Sequence, residues 1–358
     1  MTDCTVDIVV PVWNDPVETR SCIVNLAAHS PGARLILVDN GSDRETERLL
    51  EEMAEVLDDR ALLVRSDTNL GFVKAANRGL ARGEAPWLAA VRNTSMVSPG
   101  WLEPLLDFGR AHADAGILVP RLIAGSGGKV PSNVVSAEKD HGSFAAMLVR
   151  RSLFEAVGGL DAGLDAGIWC LRDYSRRAWQ AGFRTVGVAS GPVTFREEVL
   201  LGSTVRREEM LQRSISLYRE RWGEVRRFCL YISKEADFAS LCRQREVLLR
   251  GARQGHLFDV LLCAKLLKEA VKGGVIPGHE NITWQPYPAF FAGGWLRREV
   301  ARLRSLPDSP VFVRGEGEAL FPEAGTSISF AELEDLLVAS GRRFGQEGHD
   351  LKGEHDHE

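Results

Sequence analysis

The sequence predicts an α/β fold in its first half, with a mostly parallel sheet flanked by helices, and a mainly helical C-terminal region. Three observations support this prediction. Short apolar runs alternate with amphipathic stretches from residue 6 onward. Each run ends at polar residues, and the segments between runs are long enough to hold a crossover helix. Beyond residue 206, leucine-rich stretches at helical spacing predominate.

The first predicted strand lies in the apolar run from Val6 to Asn14. An amphipathic helix follows Asp15 and Pro16, and a second strand covers 33–38. A strand, helix and strand in this order favour parallel pairing with a right-handed crossover.

The carboxyl ends of these two strands carry polar residues, at 11–14 and at 39–42. Ligands of open parallel sheets gather at such ends, so the two segments should share one crevice. Two interpretations of 39–42 remain open. Asp39 either binds a ribose hydroxyl or a base N–H, or the segment is only a turn and a helix N-cap.

A third strand over 61–65 and a fourth over 87–91 flank the segment from Asn69 to Leu80. With this segment in place, the chain resembles a family-2 glycosyltransferase of the GT-A fold, whose Rossmann-like sheet is mostly parallel. The matching motifs, in order over roughly 5–195, are 11–14, 39–42, 69–72 with Asn77 and Gly79, 98–102, 150–161 and 177–184. The resemblance predicts a glycosyltransferase-like domain at 1–205, followed by a helical region at 206–344.

The resemblance implies that the first half holds a nucleotide diphosphate-sugar. By the family pattern, Pro11, Asn14 and Asp39 would line the base and ribose. Four further residues would lie near the diphosphate: Asn69, Gly71, Lys74 and Asn77. Gly71 allows close backbone approach, and a helix beginning near it would direct N–H groups at an anion.

The family's acidic metal motif is replaced by Arg92, Asn93 and Thr94. Mg²⁺ and Mn²⁺ prefer anionic oxygen ligands, so neither a conventional metal site nor a tightly bound cofactor is expected. Arg92 either neutralises the diphosphate in place of the cation, since arginine binds phosphate bidentately, or is a plain surface residue.

The family's catalytic acidic pair falls at Cys170 and Leu171, neither of which is a carboxylate base. Asp173, two positions later, is either the base or an aspartate at a helix N-terminus. The base could also be Asp165, Asp140, Glu138 or His141. The family's metal-binding histidine is replaced by Phe195.

Composition limits the class of protein. The net charge of −5 provides no global field for nucleic acid or anionic membranes. The six cysteines are scattered without metal-ligand spacing, and no signal peptide or transmembrane-length run is present. We therefore expect a cytoplasmic protein with free thiols, and leave peripheral membrane contact open.

The second part is predicted to begin with a helix over 206–222 and a helical pair over 238–253 and 257–272. This pair resembles a hairpin that contacts a protein partner. An irregular link rich in proline and aromatic residues follows at 276–291. The last predicted elements are a helix at 293–305, a strand at 311–313, a helix at 329–340 capped by Ser329, and a disordered tail from 345 to 358.

Two functions from different classes are consistent with these features. The first is a glycosyltransferase that moves a sugar to a saccharide, lipid-linked or protein acceptor without the usual metal site. The second is an inactive relative of such enzymes that serves as a binding or scaffolding module. A dehydrogenase is disfavoured, because no Gly-x-Gly-x-x-Gly follows the first strand.

Overall fold

The computed structural model describes residues 4–125, 136–165, 167–196, 204–276 and 278–342. The chain divides into two compact units, Met1–Ile215 and Ser216–Glu358. The division falls inside a long helix, Thr204–Trp222. The tail from 345 to 358 lies outside the described residues. No helix in the described part of the chain is both long and apolar enough to cross a membrane.

The first unit contains alternating strands and helices. Its strands are β1 Val6–Val12, β2 Ala33–Asn40, β3 Ala61–Ser66, β4 Trp87–Val91, β5 Ser95–Val97, β6 Ala115–Val119, β7 Leu122–Ala124, β8 Ala137–Glu138, β9 Ala146–Arg150, β10 Arg184–Gly187 and β11 Val193–Phe195. Its helices are α1 Pro16–His29, α2 Arg44–Leu57, α3 Phe72–Leu80, α4 Glu103–Ala111, α5 Arg151–Val157 and α6 Trp169–Gln180, and α7, Thr204–Trp222, begins in it.

The main sheet of the described residues has eight strands in the order β3-β2-β1-β4-β9-β6-β10-β8. The first four strands are parallel, with Val6 paired to Ala33 on one side and to Trp87 on the other. β9 runs antiparallel between β4 and β6. The predicted strands at 6–12, 33–38, 61–65 and 87–91 are all present, which confirms the α/β fold of the first half.

The centre of this sheet is buried on both faces. Every residue of β1 and of β4 is buried, so both strands are continuous apolar runs rather than alternating ones. Asp7 is the polar exception in β1. Its carboxylate accepts hydrogen bonds from Arg34 on β2 at 2.8 and 3.1 Å and from the backbone N–H groups of Glu84 and Ala85.

The second unit has its own parallel sheet. Its strands are β12 Arg227–Ile232, β13 Leu257–Cys263, β14 Ile282–Tyr287 and β15 Val311–Arg314, in the order β14-β13-β12-β15. Its helices are the end of α7, α8 Phe238–Arg253, α9 Ala264–Lys272, α10 Ala292–Arg304 and α11 Phe330–Arg342. Adjacent strands pair in parallel throughout.

This sheet corrects the predicted helical hairpin. The helix at 238–253 is present, but 257–263 is the strand β13, and only 264–272 is helical. Six of the seven residues of β13 are buried, because it is covered on both faces. That burial removes the period-two pattern by which a strand is told from a buried helix. The predicted mainly helical region is therefore a set of helices around a parallel sheet.

The predicted irregular link also contains a strand, β14, in spite of Pro286. β14 is an edge strand, and a proline is tolerated on such a strand because one side of it has no neighbouring strand to pair with. The predicted helices at 206–222, 293–305 and 329–340 match α7, α10 and α11 within a few residues. Ser329 caps α11 reciprocally with Glu332, as a capping box does.

Candidate functional site

The carboxyl ends of β1 and β2 are joined by side-chain hydrogen bonds. Asn14 follows β1 with a φ of 60°. Its backbone N–H donates to Ser42 Oγ at 3.0 Å, and its side-chain oxygen accepts from the N–H of Asp43 at 2.8 Å. Pro11, three residues earlier in β1, is buried and pairs with Val38 of β2. The structure thus places Pro11, Asn14 and Asp39 at one edge of the sheet.

Asp39 lies at this edge and is 5% exposed. One carboxylate oxygen accepts a hydrogen bond from the N–H of Ser42 at 3.0 Å, which closes a turn in which Gly41 has a φ of 71°. The cap of α2 is Asp43, which accepts from the N–H of Thr46. Segment 39–42 is therefore the end of β2 and the turn before the cap, and Asp39 holds that turn.

A second network joins β2 to the loop before α3. The side chain of Asn40 donates to Asn69 Oδ1 at 2.9 Å and accepts from the N–H of Leu70 at 2.9 Å. Asn69 Oδ1 also accepts from the N–H of Gly71 at 2.8 Å. A Cβ at Gly41 would lie 2.5 Å from the backbone of Thr68, so only glycine permits this approach. Asn40, to which the sequence analysis gave no role, thus positions the start of α3.

The amino end of α3 carries converging positive charge. Gly71 is the N-cap residue with a φ of 88°, a conformation that favours glycine, and Phe72 begins the helix. The guanidinium of Arg92, which follows β4, lies over the Phe72 ring at 5.5 Å from its centroid. Lys74 is exposed in the first turn of α3. The helix terminus, Arg92 and Lys74 together make an environment suited to an anion.

A carboxylate lies beside this terminus. A Cβ built on Gly71 would be 3.0 Å from Oδ2 of Asp165, so the two residues are in close contact. Asp165 ends the short 3₁₀ turn Ala162–Leu164, which is capped by Asp161. The structure therefore brings Asp165, one of the five candidate bases, to the same helix end as Arg92.

Asn77 lies one and a half turns into α3 and is held by another segment. Its amide nitrogen donates to the carbonyl of Leu160 at 2.7 Å, and its amide oxygen accepts from the N–H of Leu160 at 2.9 Å. A Cβ on Gly159 would lie 2.6 Å from the same amide oxygen. Asn77 thus fastens α3 to the loop after α5, and the expected diphosphate contact finds no support in its geometry.

The triplet that replaces the metal motif does not fit a divalent cation. Arg92 is cationic, and the amide of Asn93 donates to Thr19 Oγ1 on α1 at 3.0 Å. The hydroxyl of Thr94 is buried without a hydrogen-bond partner, but one neutral hydroxyl does not make a site for Mg²⁺ or Mn²⁺. Within the described ranges, no three His, Cys, Asp or Glu side chains are grouped to hold a metal ion.

The two positions at which the family has its acidic pair lie in the core. Cys170 and Leu171 are both buried at the start of α6, and burial raises the pKa of the Cys170 thiol to about 12. Phe195, in place of the family's histidine, lies in β11 opposite Ser95 of β5. An apolar ring therefore stands directly across from the strand that follows Arg92, Asn93 and Thr94.

Asp173 is not placed as a catalytic base. Its side chain is 0% exposed and pairs with Arg177 Nε at 2.8 Å within α6. It lies in the second turn of a helix that begins at Trp169, so it is not an N-terminal aspartate either. A base must reach the acceptor hydroxyl directly or through one water, and this carboxylate is enclosed. This geometry favours neither interpretation from the sequence.

The other candidate bases are held by neighbouring groups. Asp140 pairs with Arg172 at 2.6 Å and Glu138 with Arg184 at 3.2 Å. His141 Nδ1 lies 2.6 Å from the carbonyl oxygen of Gly142. Among the five, Asp165 is the one that the structure places next to the amino end of α3.

Comparison with known proteins identifies the first unit. Residues 7–157 match the sequence profile of Glycosyl transferase family 2. Polypeptide N-acetylgalactosaminyltransferase 13 of rat is 26% identical over 207 residues, and the human protein of that name has the same identity over the same length. The match covers 48% of this chain and 36% of each relative, so the chain spans about a third of their length.

The fold has solved counterparts. A crystal structure of GalNAc-T7 with UDP, GalNAc and Mn²⁺ superposes with a TM-score of 0.50 and 16% identity, over 61% of this chain and 50% of that one. The mannosyltransferase PcManGT of Pyrobaculum calidifontis, with GDP-Man and Mn²⁺, gives a TM-score of 0.47 at 15% identity, over 60% and 64% of the two chains. Residues 7–157 therefore carry the sequence profile of glycosyltransferase family 2, and the unit that contains them has the GT-A fold.

Proposed function

We infer that the first unit binds a nucleotide diphosphate-sugar and transfers the sugar to a hydroxyl acceptor without the usual divalent-metal site. The observation that carries this proposal is the placement of the Arg92 guanidinium over Phe72, the first residue of α3. Arginine and a helix amino terminus thereby stand together where the diphosphate is expected. Both favour an anion, and neither requires a metal ion.

The nucleoside would lie in the crevice at the ends of β1 and β2. Asp39 offers a buried carboxylate there, which can accept from a ribose hydroxyl or a base N–H. Pro11 and Asn14 would form the opposite wall, which is fixed because Asn14 donates its N–H to Ser42 and accepts from the N–H of Asp43. A donor crevice whose walls are already hydrogen-bonded loses little conformational freedom on binding.

The diphosphate would lie across the amino end of α3, between Arg92 and Lys74. Gly71 allows phosphate oxygens to approach the backbone, and Asn69 holds this turn in place by accepting from the Gly71 N–H. Arg92 stabilises the negative charge that develops as the sugar leaves, which is the contribution a metal ion makes in relatives that hold one. Asn77 has no part in this proposal, because its amide is bonded to Leu160.

In the transfer step, an acceptor hydroxyl oxygen forms a bond to the anomeric carbon while the bond from that carbon to the diphosphate oxygen breaks. The electron pair of the broken bond stays on the nucleoside diphosphate, where Arg92 and the amino end of α3 face it. The hydroxyl proton passes to a carboxylate, and we assign this role to Asp165 in place of Asp173. Asp165 qualifies by position, since Gly71 is in contact with it. The acceptor class is a saccharide, a lipid-linked group or a protein.

A second function, a binding or scaffolding module without turnover, is favoured by specific losses. Leu171 occupies the expected place of the catalytic aspartate, and Phe195 that of a histidine. The remaining aspartate of this region, Asp173, is committed to Arg177. This alternative removes the proton transfer and keeps either the donor crevice or only the surface of the unit, so it differs from the first function in catalysis. The second unit would then be the part that contacts a protein partner in a cytoplasmic assembly.

Calorimetric titration tests the donor site. We expect UDP-, GDP- or dTDP-sugar to bind with unchanged affinity in Mn²⁺ and in EDTA. Arg92→Ala should weaken binding of the matching nucleoside diphosphate about tenfold to a hundredfold and binding of the nucleoside by less than about twofold, since only the former bears the charge. Equal weakening of both would remove Arg92 from the diphosphate site. If none of the three donors binds, only the scaffold function would remain.

A further inference from the structure

A cavity in the second unit lies apart from any residue discussed above. Its volume is about 380 Å³, which is within the range of small-molecule sites. It is lined by the end of α7, the link to β12, the turn before β13 and the second half of α11. Because it lies at the amino ends of β12 and β13, it is on the opposite edge from the one where ligands of parallel sheets usually bind.

The inner wall of the cavity is aromatic and apolar. Trp222 is 4% exposed and Phe228 is 1% exposed, and both line the cavity together with Leu337. The imidazole of His256 meets the Phe228 ring edge to face at 5.6 Å. Planar or apolar groups pack favourably against such a wall.

The position and tautomer of His256 are fixed. The backbone N–H of Arg226 donates to His256 Nδ1 at 3.1 Å, and the N–H of Leu257 donates to the carbonyl of Arg226 at 3.0 Å. Since Nδ1 accepts, the proton of the neutral ring is on Nε2, which is then a donor. His256 is thus held in place beside the inner wall at 5% exposure.

The rim of the cavity carries excess positive charge. Arg219 and Arg226 are exposed, and among the described residues neither makes an ion pair with a carboxylate. Glu224 is the one acidic residue of the lining. Two guanidinium groups and one carboxylate leave a net positive rim above an aromatic wall.

We propose that this cavity binds a small organic anion, whose acidic group lies between Arg219 and Arg226 and whose apolar body rests on Trp222 and Phe228. Arginine binds carboxylate, phosphate and sulfonate groups through forked hydrogen bonds, and the aromatic wall excludes fully hydrated inorganic ions. The site is in the second unit and is independent of the donor site in the first, so either one can fail without the other.

The probe for this site is 8-anilinonaphthalene-1-sulfonate, which combines a sulfonate with an aromatic body and fluoresces when it leaves water. We expect saturable binding to the full chain at one site. Simultaneous Arg219→Ala and Arg226→Ala should raise the dissociation constant about tenfold or more, as charge-assisted hydrogen bonds are lost. Arg298→Ala, at an exposed arginine of α10, is the matched control and should leave it unchanged.

A second variant separates this site from other apolar surfaces. Ala339 is exposed on α11 and lines the cavity, so Ala339→Trp fills the space without disturbing a buried position. We expect this variant to lose probe binding while its urea unfolding midpoint stays within error of the wild type. The proposal would be overturned if the Ala339→Trp variant bound the probe as tightly as the wild type does, or if the wild type did not bind the probe at all. Inorganic phosphate should not compete with the probe, and full competition would reduce the site to a patch of charge.

Discussion

Asp173 accepts a hydrogen bond from Arg177 Nε at 2.8 Å, one turn along α6, and the aspartate side chain is wholly buried. The two terminal nitrogens of Arg177 donate to the carbonyls of Val157 and Gly159, each at 2.8 Å. The ion pair therefore fastens α6 to the end of α5. We therefore expect this aspartate, which matches an acidic position of the family motif, to serve the structure and not the chemistry.

Asp173→Asn should consequently destabilise the first unit. Removing one member of a buried ion pair leaves the other uncompensated, at a typical cost of about 3–5 kcal/mol, and the partial exposure of Arg177 places our expectation at about 3 kcal/mol. Urea unfolding gives this value. Asp107→Asn is the control, because Asp107 pairs with Arg110 on the surface of α4 and should change the free energy by less than about 1 kcal/mol. Loss of transfer at undiminished stability would return Asp173 to catalysis.

Substitution of Asn77 tests whether this residue contributes to stability or to donor binding. Asn77→Ala removes both hydrogen bonds to Leu160 and should cost about 1–3 kcal/mol, because a buried N–H and C=O lose their partners. Donor affinity measured by calorimetry should change by less than about twofold, because the substitution removes no charged group.

Asn25 is a matched control for Asn77, since its amide makes the same pair of hydrogen bonds to the backbone of Val97. Asn25→Ala should reduce stability by a similar amount and leave donor binding unchanged. If Asn77→Ala instead weakened donor binding tenfold while Asn25→Ala did not, Asn77 would be at the diphosphate as the resemblance implies.

The sequence predicted the first half of the fold well because its signals are local. β1, β2 and β4 are apolar runs with the polar residues Asn14, Asp39 and Arg92 at or just beyond their carboxyl ends, and parallel pairing places such ends together. β13 escaped prediction for the opposite reason. Burial on both faces makes 257–263 apolar at every position but Asp259, and the helical stretch that follows it without a break suggested one long helix.

The site was only partly predictable, because motif positions do not reveal side-chain partners. The positions of Gly71 and Arg92 at one helix end follow from strand and helix order. Asp173 is buried as the partner of Arg177. Both residues are visible in the sequence, but no sequence pattern shows that they form an ion pair. The approach of Asp165 to Gly71 joins segments far apart in the sequence, and periodicity does not show such a contact.

Asp7 makes the stability of the first unit depend on pH. Burial raises the pKa of this carboxyl, but hydrogen bonds from Arg34 and from the N–H groups of Ala85 and Glu84 outweigh it, so the pKa lies below its ordinary value of 3.8. A group with a depressed folded-state pKa stabilises the fold above its unfolded pKa. That contribution is lost as the pH falls through about 4 toward the folded value.

Asp7→Asn isolates this contribution. The carboxylate of Asp7 accepts from Arg34 and from two backbone N–H groups, whereas an amide has a single acceptor oxygen for these donors. We therefore expect the free energy of unfolding to fall by about 3 kcal/mol at pH 7. Urea unfolding from pH 7 to pH 3 should show the wild type converging on the variant as Asp7 is protonated. A constant difference across this range would show that Asp7 does not titrate with folding.

Asp165 is the residue on which turnover should depend. In the absence of a known acceptor, water can serve, and release of nucleoside diphosphate from the donor measures slow hydrolysis. Asp165→Asn should reduce this rate about 10²–10⁴-fold, which is the usual contribution of a positioned base, while donor affinity is unchanged.

The control for Asp165 is in the same loop. Asp161 accepts a hydrogen bond from the N–H of Gly163 and caps the short 3₁₀ turn that ends before Asp165, so Asp161→Asn perturbs the loop without removing the carboxylate beside Gly71. We expect this variant to hydrolyse donor within about threefold of the wild type, since a neutral amide retains the capping acceptor. Equal losses in both variants would mean that loop order, and not proton transfer, limits the rate. Donor binding without measurable hydrolysis in the wild type would favour the scaffold function, because the crevice at Asp39 and the cationic end of α3 would then serve recognition alone.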